Sequence, residues 1–294
     1  MTASDETGQE LTEQAVDSLA NCADPRLREV LGSLIRNLHH FAVENSLTEA
    51  EWLAGIRFLT EVGQISSDHR QEFILLSDTL GLSMLVDLIN HGAGDDATES
   101  TVLGPFYVPD SPWRASGDAI TADLGHNPLF VSGHVRDTAG RPLPQAVVDV
   151  WQNAANRLYA VQDEHQSSDN LRGRFRTDPD GGFAFRTARP VDYPIPDDGP
   201  VGRMLSATGR HAWRPAHVHM IVSAEGHDQV TTHIFDSASQ YLDSDVVFGV
   251  KPSLVRTFTQ HDPVVEPGPP GIDGPWCSVD IDIVLQPAGE AARD

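Results

Sequence analysis

The chain has 294 residues, enough for one large domain or a main domain with a smaller partner, and either buries a substantial core. Its 43 acidic and 20 basic residues leave a formal charge of -23, which attracts no phosphate backbone and excludes nucleic acid as a partner. The two cysteines, Cys22 and Cys277, lie far apart and form no CxxC pair, so neither a disulfide framework nor a thiolate metal site is indicated.

The opening residues Met1 to Glu6 carry neither a basic n-region nor an apolar h-region, and nowhere do 18 apolar residues run together. A cytoplasmic chain, neither secreted nor inserted in a membrane, is expected. Residues 10 to about 92 read as helical. Asp24-Pro25 is a start signal, after which Leu27, Val30, Leu31, Leu34, Leu38 and Phe41 recur at the 3/4 spacing of one helix face. Such a stripe is read first as core, with an interface as the alternative. Thr48-Glu49-Ala50-Glu51 is a capping box before Trp52, Ile56 and Leu59. Further apolar segments run from Phe73 to Leu80 and from Leu82 to Ile89.

Residues 93–128 bridge this helical part to the second half of the chain, and contain Thr101-Val102-Leu103-Gly104-Pro105-Phe106-Tyr107, which by itself reads as a hinge. From residue 129 the apolar period becomes two. Segments 130–135, 146–151, 182–186, 218–222, 231–235 and 279–285 are predicted strands, and six or more short strands with such spacing predict an antiparallel sandwich. Long loops are expected at 152–172 and 187–216, where functional residues concentrate. Pro267 to Pro275 reads as a connection, and no internal repeat is visible.

The chemistry concentrates in Arg214-Pro215-Ala216-His217-Val218-His219, which opens the apolar run Met220-Ile221-Val222. On an extended strand, residues two apart face the same side, so both imidazoles can share one metal ion. Zinc, copper and non-haem iron all use such a pair. Taken alone, the two histidines would be half-exposed polar residues, and a tyrosine before proline would be a turn aromatic. Only four tyrosines occur, however, and two stand in unusual settings, Tyr159 in Arg157-Leu158-Tyr159-Ala160 and Tyr193 in Val191-Asp192-Tyr193-Pro194-Ile195-Pro196. A tyrosinate is a hard anionic ligand that suits Fe(III) better than Zn(II) or Fe(II).

The stretch Thr101 to Tyr107, the run from Arg172-Gly173-Arg174-Phe175 to Phe185, the Val191 to Pro196 segment and the RPAHVH motif occur in the order found in intradiol ring-cleavage dioxygenases. The chain resembles that family, which includes the catechol, chlorocatechol and hydroxyquinol 1,2-dioxygenases, over roughly residues 10 to 285. The resemblance implies an α+β, mainly β protein: a helical dimerisation part with the linker start at 1–100, then a β-sandwich catalytic domain at 101–294. It implies that Tyr159, Tyr193, His217 and His219 hold one non-haem Fe(III) per subunit, with Tyr193 and His219 as the axial pair. It implies a homodimer joined through the N-terminal helices, which also hold phospholipid tails.

The resemblance further implies that Tyr193 is displaced by substrate and takes a proton, and that Arg214 stabilises negative charge building on the ring. Leu75, Val102, Leu103 and Gly104 would line the pocket. His233 stands 16 positions after His217, where catechol-cleaving relatives carry glutamine. The pattern from Thr231 to Asp236, followed by Tyr241 to Asp245 and Phe248 to Lys251, is similar to the hydroxyquinol branch. Asp78, a carboxylate among apolar neighbours, would accept a hydrogen bond from the third hydroxyl of a triol. The expected activity is cleavage of hydroxyquinol by O2 to maleylacetate. The alternatives are a catechol or chlorocatechol 1,2-dioxygenase giving a cis,cis-muconate, a non-catalytic transthyretin-like binding module, and a zinc hydrolase using the two histidines with a carboxylate.

Overall fold

Alternate burial along the strands turns the second half of the chain into two sheets that share a core. The computed structural model describes residues 3–67, 70–91 and 96–289, so the bridge predicted to start at 93 begins outside the described residues. Helices α1 (Ala3–Asp17), α2 (Pro25–Glu44), α3 (Glu49–Ile65), α4 (Glu72–Thr79) and α5 (Leu82–Asn90) come first. Strands β1 (Pro128–Asp137), β2 (Val147–Trp151), β3 (Arg172–Arg176), β4 (Gly182–Ala188) and β5 (Tyr193–Pro194) come next, then helix α6 (Pro200–Ala207). The chain continues through β6 (Trp213–Arg214), β7 (His217–Ser223), β8 (Val230–Asp236), β9 (Val255–Arg256), β10 (Thr259–His261) and β11 (Trp276–Leu285).

Two compact units divide the chain, Met1–Glu61 and Val62–Asp294. In the first, the start signals act as expected. The Asp24 carboxylate accepts from the Arg26 and Leu27 amides at 2.9 and 3.1 Å, and Pro25 occupies the first turn. The Thr48 hydroxyl accepts from the Glu51 amide at 3.3 Å while Glu51 accepts from the Thr48 amide at 2.9 Å, closing the capping box. The stripe Leu27, Val30, Leu34, Leu38 and Phe41 is exposed, which corrects its reading as core. Helix α1 packs instead against the face of α2 that carries Gly32 and His39, where His39 Nδ1 meets the Thr12 hydroxyl at 2.8 Å.

In the second unit, α4 and α5 accompany the sheets. The buried Glu72 carboxylate of α4 accepts from the Val201 amide of α6 at 3.1 Å. Helix α6 lies in a stretch read from sequence as loop; it is only eight residues long and starts on Pro200, too short for a periodic signal. One sheet runs β10-β11-β1-β4 and the other β3-β2-β7-β8-β9, with β5 and β6 forming a separate ribbon. The sheets are mixed, not antiparallel throughout, because β1 pairs with β11 and β8 with β9 in parallel. Parallel neighbours need a crossover rather than a hairpin, and β11 reaches β1 from the far end of the sequence. Among the described residues no helix is long and apolar enough to cross a membrane.

Val148, Val150, Val218, Met220 and Val222 of one sheet meet Leu129, Val131, Val135, Phe183 and Phe185 of the other in a single cluster. Phe175 of β3 stacks on Phe185 of β4, ring centres 5.4 Å apart, across the two layers. Truncating Phe185 to alanine removes that contact and leaves a cavity that rigid sheets fill poorly. Phe185→Ala is expected to lose about 3–5 kcal/mol of stability, read as a lower urea midpoint at unchanged slope.

Candidate metal centre

Strand β7 builds the centre of the site. Val218, Met220 and Val222 turn to the core, so His217 and His219 share the opposite face, both fully buried. The register places His219 directly opposite Trp151 of β2 on one side and His233 of β8 on the other. The three rings form a row across the sheet: Trp151 stacks on His219 at 4.6 Å and 11°, and His233 meets His219 edge-on at 4.1 Å. His233 also stacks on His217 at 4.5 Å.

The tyrosines arrive from the two long connections. Tyr193 opens β5 and pairs directly with Arg214 of β6, so a two-residue ribbon sets the guanidinium beside the phenol. Asp192 locks that ribbon to the histidine strand, accepting from the Ala216 amide at 2.8 Å and the Ser239 hydroxyl at 2.5 Å. Tyr159 stands before a short turn, with Phe106 stacked on its ring at 4.7 Å. Its hydroxyl donates to the Tyr193 oxygen at 3.1 Å and lies 2.9 Å from His219 Nε2. His217 Nε2 stands 3.0 Å from His219 Nε2, and Arg214 Nη1 donates to Tyr193 Oη and to His217 Nε2 at 3.4 Å each. Five of the residues expected at the site are thus joined by direct contacts.

The local electrostatics follow from burial. Both phenols are pushed above their ordinary range by desolvation, Tyr159 far above it, with the neighbouring Tyr193 adding to the shift; at Tyr193 the Arg214 charge offsets part of it. His217, His219 and His233 are held well below the usual imidazole range by burial first and by neighbouring positive charge second. They are therefore neutral. The His217 Nδ1 donates to the Pro215 carbonyl at 2.7 Å, which leaves the Nε2 lone pair facing the phenols. Desolvation would lower the Arg214 value, but the paired Asp245 and the two phenols outweigh it and raise the net value. Neutral imidazoles and reluctant phenols around one point constitute a donor set that a metal cation would complete. Among the described residues, His217, His219 and His233 form a group whose ligand atoms lie within 4.8 Å of one another. His219 Nδ1 and both His233 nitrogens make no hydrogen bond of good geometry.

The expected pocket residues divide. Leu75, Pro105, Phe106, Leu158 and Pro196 line a cavity of about 250 Å³, with Phe106 leading from it to Tyr159. A cleft of about 510 Å³ is larger but is lined by neither phenol. Asp78 and Val102 are buried, Leu103 is exposed, and neither these nor Gly104 lines that cavity. Gly104 has φ +76° and faces the His219 ring, where an added Cβ would come within 3.4 Å of Cε1. Sequence reasoning did not assign roles to Asp245, Trp151 or Asp192. Asp245 gave a usable signal as an acid among Val246, Val247 and Phe248, and Trp151 as the end of an alternating strand.

Comparison with known proteins points the same way. Residues 102–287 match the family described as Dioxygenase, and residues 24–98 the one described as Catechol dioxygenase N terminus. The chain is similar to a hydroxyquinol 1,2-dioxygenase of Nocardioides simplex, 48% identical over 95% of this chain and 96% of the relative. It is also similar to the crystal structure of hydroxyquinol 1,2-dioxygenase from Pseudomonas putida DLL-E4, with TM-score 0.89 and 48% identity over 96% of this chain and 99% of that one. The wild-type catechol 1,2-dioxygenase structure of Acinetobacter radioresistens matches with TM-score 0.87 but only 29% identity, over 98% and 94% of the two chains.

Asp78 yields a test independent of turnover. Burial raises its carboxyl above the ordinary range, opposed by a hydrogen bond from Ser83 and by the Arg214 charge and reinforced by Asp245. A carboxyl whose folded value is raised binds its proton more tightly folded than unfolded. Its contribution is therefore full below the unfolded value and lost as pH rises through the folded one. Asp78→Asn is expected to be more stable than the parent in urea at pH 7, with the difference vanishing below about pH 4. An unchanged pH profile of stability would contradict this.

Proposed function

The chain belongs to the intradiol ring-cleavage dioxygenases, and from that premise we propose that it cleaves hydroxyquinol (benzene-1,2,4-triol) with O2 between adjacent hydroxylated carbons, giving maleylacetate. The observation that carries the reading is the run of contacts Tyr193 to Tyr159, Tyr159 to His219 and His219 to His217, at 2.9–3.1 Å, all between buried side chains. The high identity to a hydroxyquinol enzyme, against the lower identity to a catechol enzyme of similar fold, favours the triol.

The donor set fits iron. Tyr159, Tyr193, His217 and His219 would hold one Fe(III) per subunit, two hard oxygens and two imidazoles, while His233 stands beside both histidines on the same face. A ferric ion there would supply the Lewis-acid and redox chemistry that lets an aromatic diol react with O2. The chain's own residues do the rest. Tyr193 Oη, as the phenolate that the ion would hold, would take a proton from a substrate hydroxyl as general base and leave as the neutral phenol, and Arg214 Nη1, 3.4 Å away, stabilises the negative charge that develops beside it. The Pro215 carbonyl fixes the His217 ring, and Trp151 and Phe106 clamp His219 and Tyr159 and exclude water. On this reading Leu75, on the cavity beside Phe106, and Gly104, against the His219 ring, bound the substrate together with Val102, Leu103 and His233, and Asp78 receives the third hydroxyl.

Residues 1–100 serve as dimerisation domain and linker start and 101–294 as catalytic domain, a boundary of role, since α4 and α5 belong to the same compact unit as the sheets. The exposed stripe Leu27, Val30, Leu34, Leu38 and Phe41 supports a homodimer interface with phospholipid tails.

Two measurements test the reading. The purified protein is expected to be red, from tyrosinate-to-Fe(III) charge transfer, and Tyr159→Phe to shift that band; a colourless protein with stoichiometric zinc would remove the chemistry. Hydroxyquinol is expected to give a higher kcat/KM than catechol. Asp78→Ala should lose triol turnover by about 10–100-fold, the worth of a hydrogen bond to a charged group, while keeping catechol turnover. Equal losses would take Asp78 out of the specificity.

A further inference from the structure

Arg214 is held by its back edge. Nε donates to Asp245 Oδ1 at 3.0 Å and Nη2 to Oδ2 at 3.1 Å, a two-point grip that leaves Nη1 alone turned toward Tyr193 and His217. Both side chains are buried. Asp245 is itself fixed: Oδ2 accepts from the Gly249 amide at 3.0 Å and Oδ1 from the Val247 amide at 3.4 Å. The Thr101 hydroxyl donates to the Gly249 carbonyl at 2.7 Å, tying the segment that carries Val102 to Gly104 into the same loop. A Cβ at Gly249 would lie 2.9 Å from Arg214 Nη2 and 3.2 Å from Asp245 Oδ2, so any side chain there pushes the guanidinium out of its place.

We infer that Asp245 is the positioning residue for Arg214, holding the guanidinium so that the single Nη1 donor reaches the Tyr193 oxygen, with Gly249 as the close stop that keeps it there. The inference rests on the reading of Arg214 as the group that stabilises developing charge. A bidentate carboxylate fixes the guanidinium plane and balances its charge, so the one free edge has a single direction. Asparagine at 245 keeps the size but offers one acceptor, and the plane is then free to tilt.

The experiment compares Arg214→Gln, Asp245→Asn, their double variant and Gly249→Ala as iron-loaded full chains, measuring iron content, the resting visible band, and kcat and KM for hydroxyquinol. Asp245→Asn and Gly249→Ala are expected to keep iron and KM but to lose about 100-fold in kcat, the scale of a misplacement near 1 Å. The tyrosinate band should move in both, since Nη1 no longer donates to Tyr193, a shift that general loosening of the loop would not produce. The double variant should be no slower than Arg214→Gln. An equal Asp245→Asn loss in both backgrounds, or Gly249→Ala with parental kcat and band, overturns the inference while leaving Arg214 its role. Parental kcat in Arg214→Gln overturns that role and the inference together. If Asp245→Asn does not fold, Gly249→Ala alone decides.

Discussion

A guanidinium buried to 2% exposure beside two phenols and three imidazoles is the constraint on which this site depends. Bringing such a charge out of water costs several kcal/mol, and only close pairing with good geometry offsets it. Asp245 supplies that pairing through two bonds while its remaining acceptor capacity is taken up by backbone amides. The pair is therefore nearly neutral as seen from outside but polar at its front edge. A preset dipole of this kind is what a reaction that builds charge on a bound ring needs, since no water has to reorganise when the charge appears.

Holding that edge in place is a matter of register. The ribbon of β5 and β6 is only two residues a side, yet it sets Tyr193 opposite Arg214, and the Ile195 amide extends it by bonding the Ala212 carbonyl at 2.8 Å. Asp192, next to Tyr193, reaches the amide of Ala216, next to His217. One carboxylate thereby couples the tyrosine loop to the histidine strand, so the phenol and imidazole cannot drift independently. The sandwich supplies the rigid base, because β7 lies between β2 and β8 and its core face carries Val218, Met220 and Val222.

Much of this was legible in the residues. Alternation from 129 onward marks the strands, the Asp24 and Thr48 signals mark helix starts, and His217 and His219 two apart on such a strand must share a face. The sequence could not disclose pairing direction, since the parallel match of β1 to β11 depends on how the chain returns and leaves no local trace. Nor could it disclose which face of α2 is covered, because α1 meets Gly32 and His39 rather than the leucine stripe. Asp245 escaped for a similar reason. Its ion pair reaches across 31 positions to Arg214, and an acid in a loop carries no mark of its partner.

The distribution of unpaired atoms separates this site from an ordinary buried histidine cluster. Of seven buried side-chain polar atoms without a hydrogen bond among the described residues, four belong to the row Trp151, His219 and His233. Each such atom costs about 1–3 kcal/mol, and a cluster serving only to fill space would settle on apolar residues or on partners for those nitrogens. Four such atoms gathered in one row beside two phenols are the nitrogen side of a ligand-binding site. The large two-sheet core, stacked through Phe175 and Phe185, is the rigid support that lets the chain keep such a polar row buried.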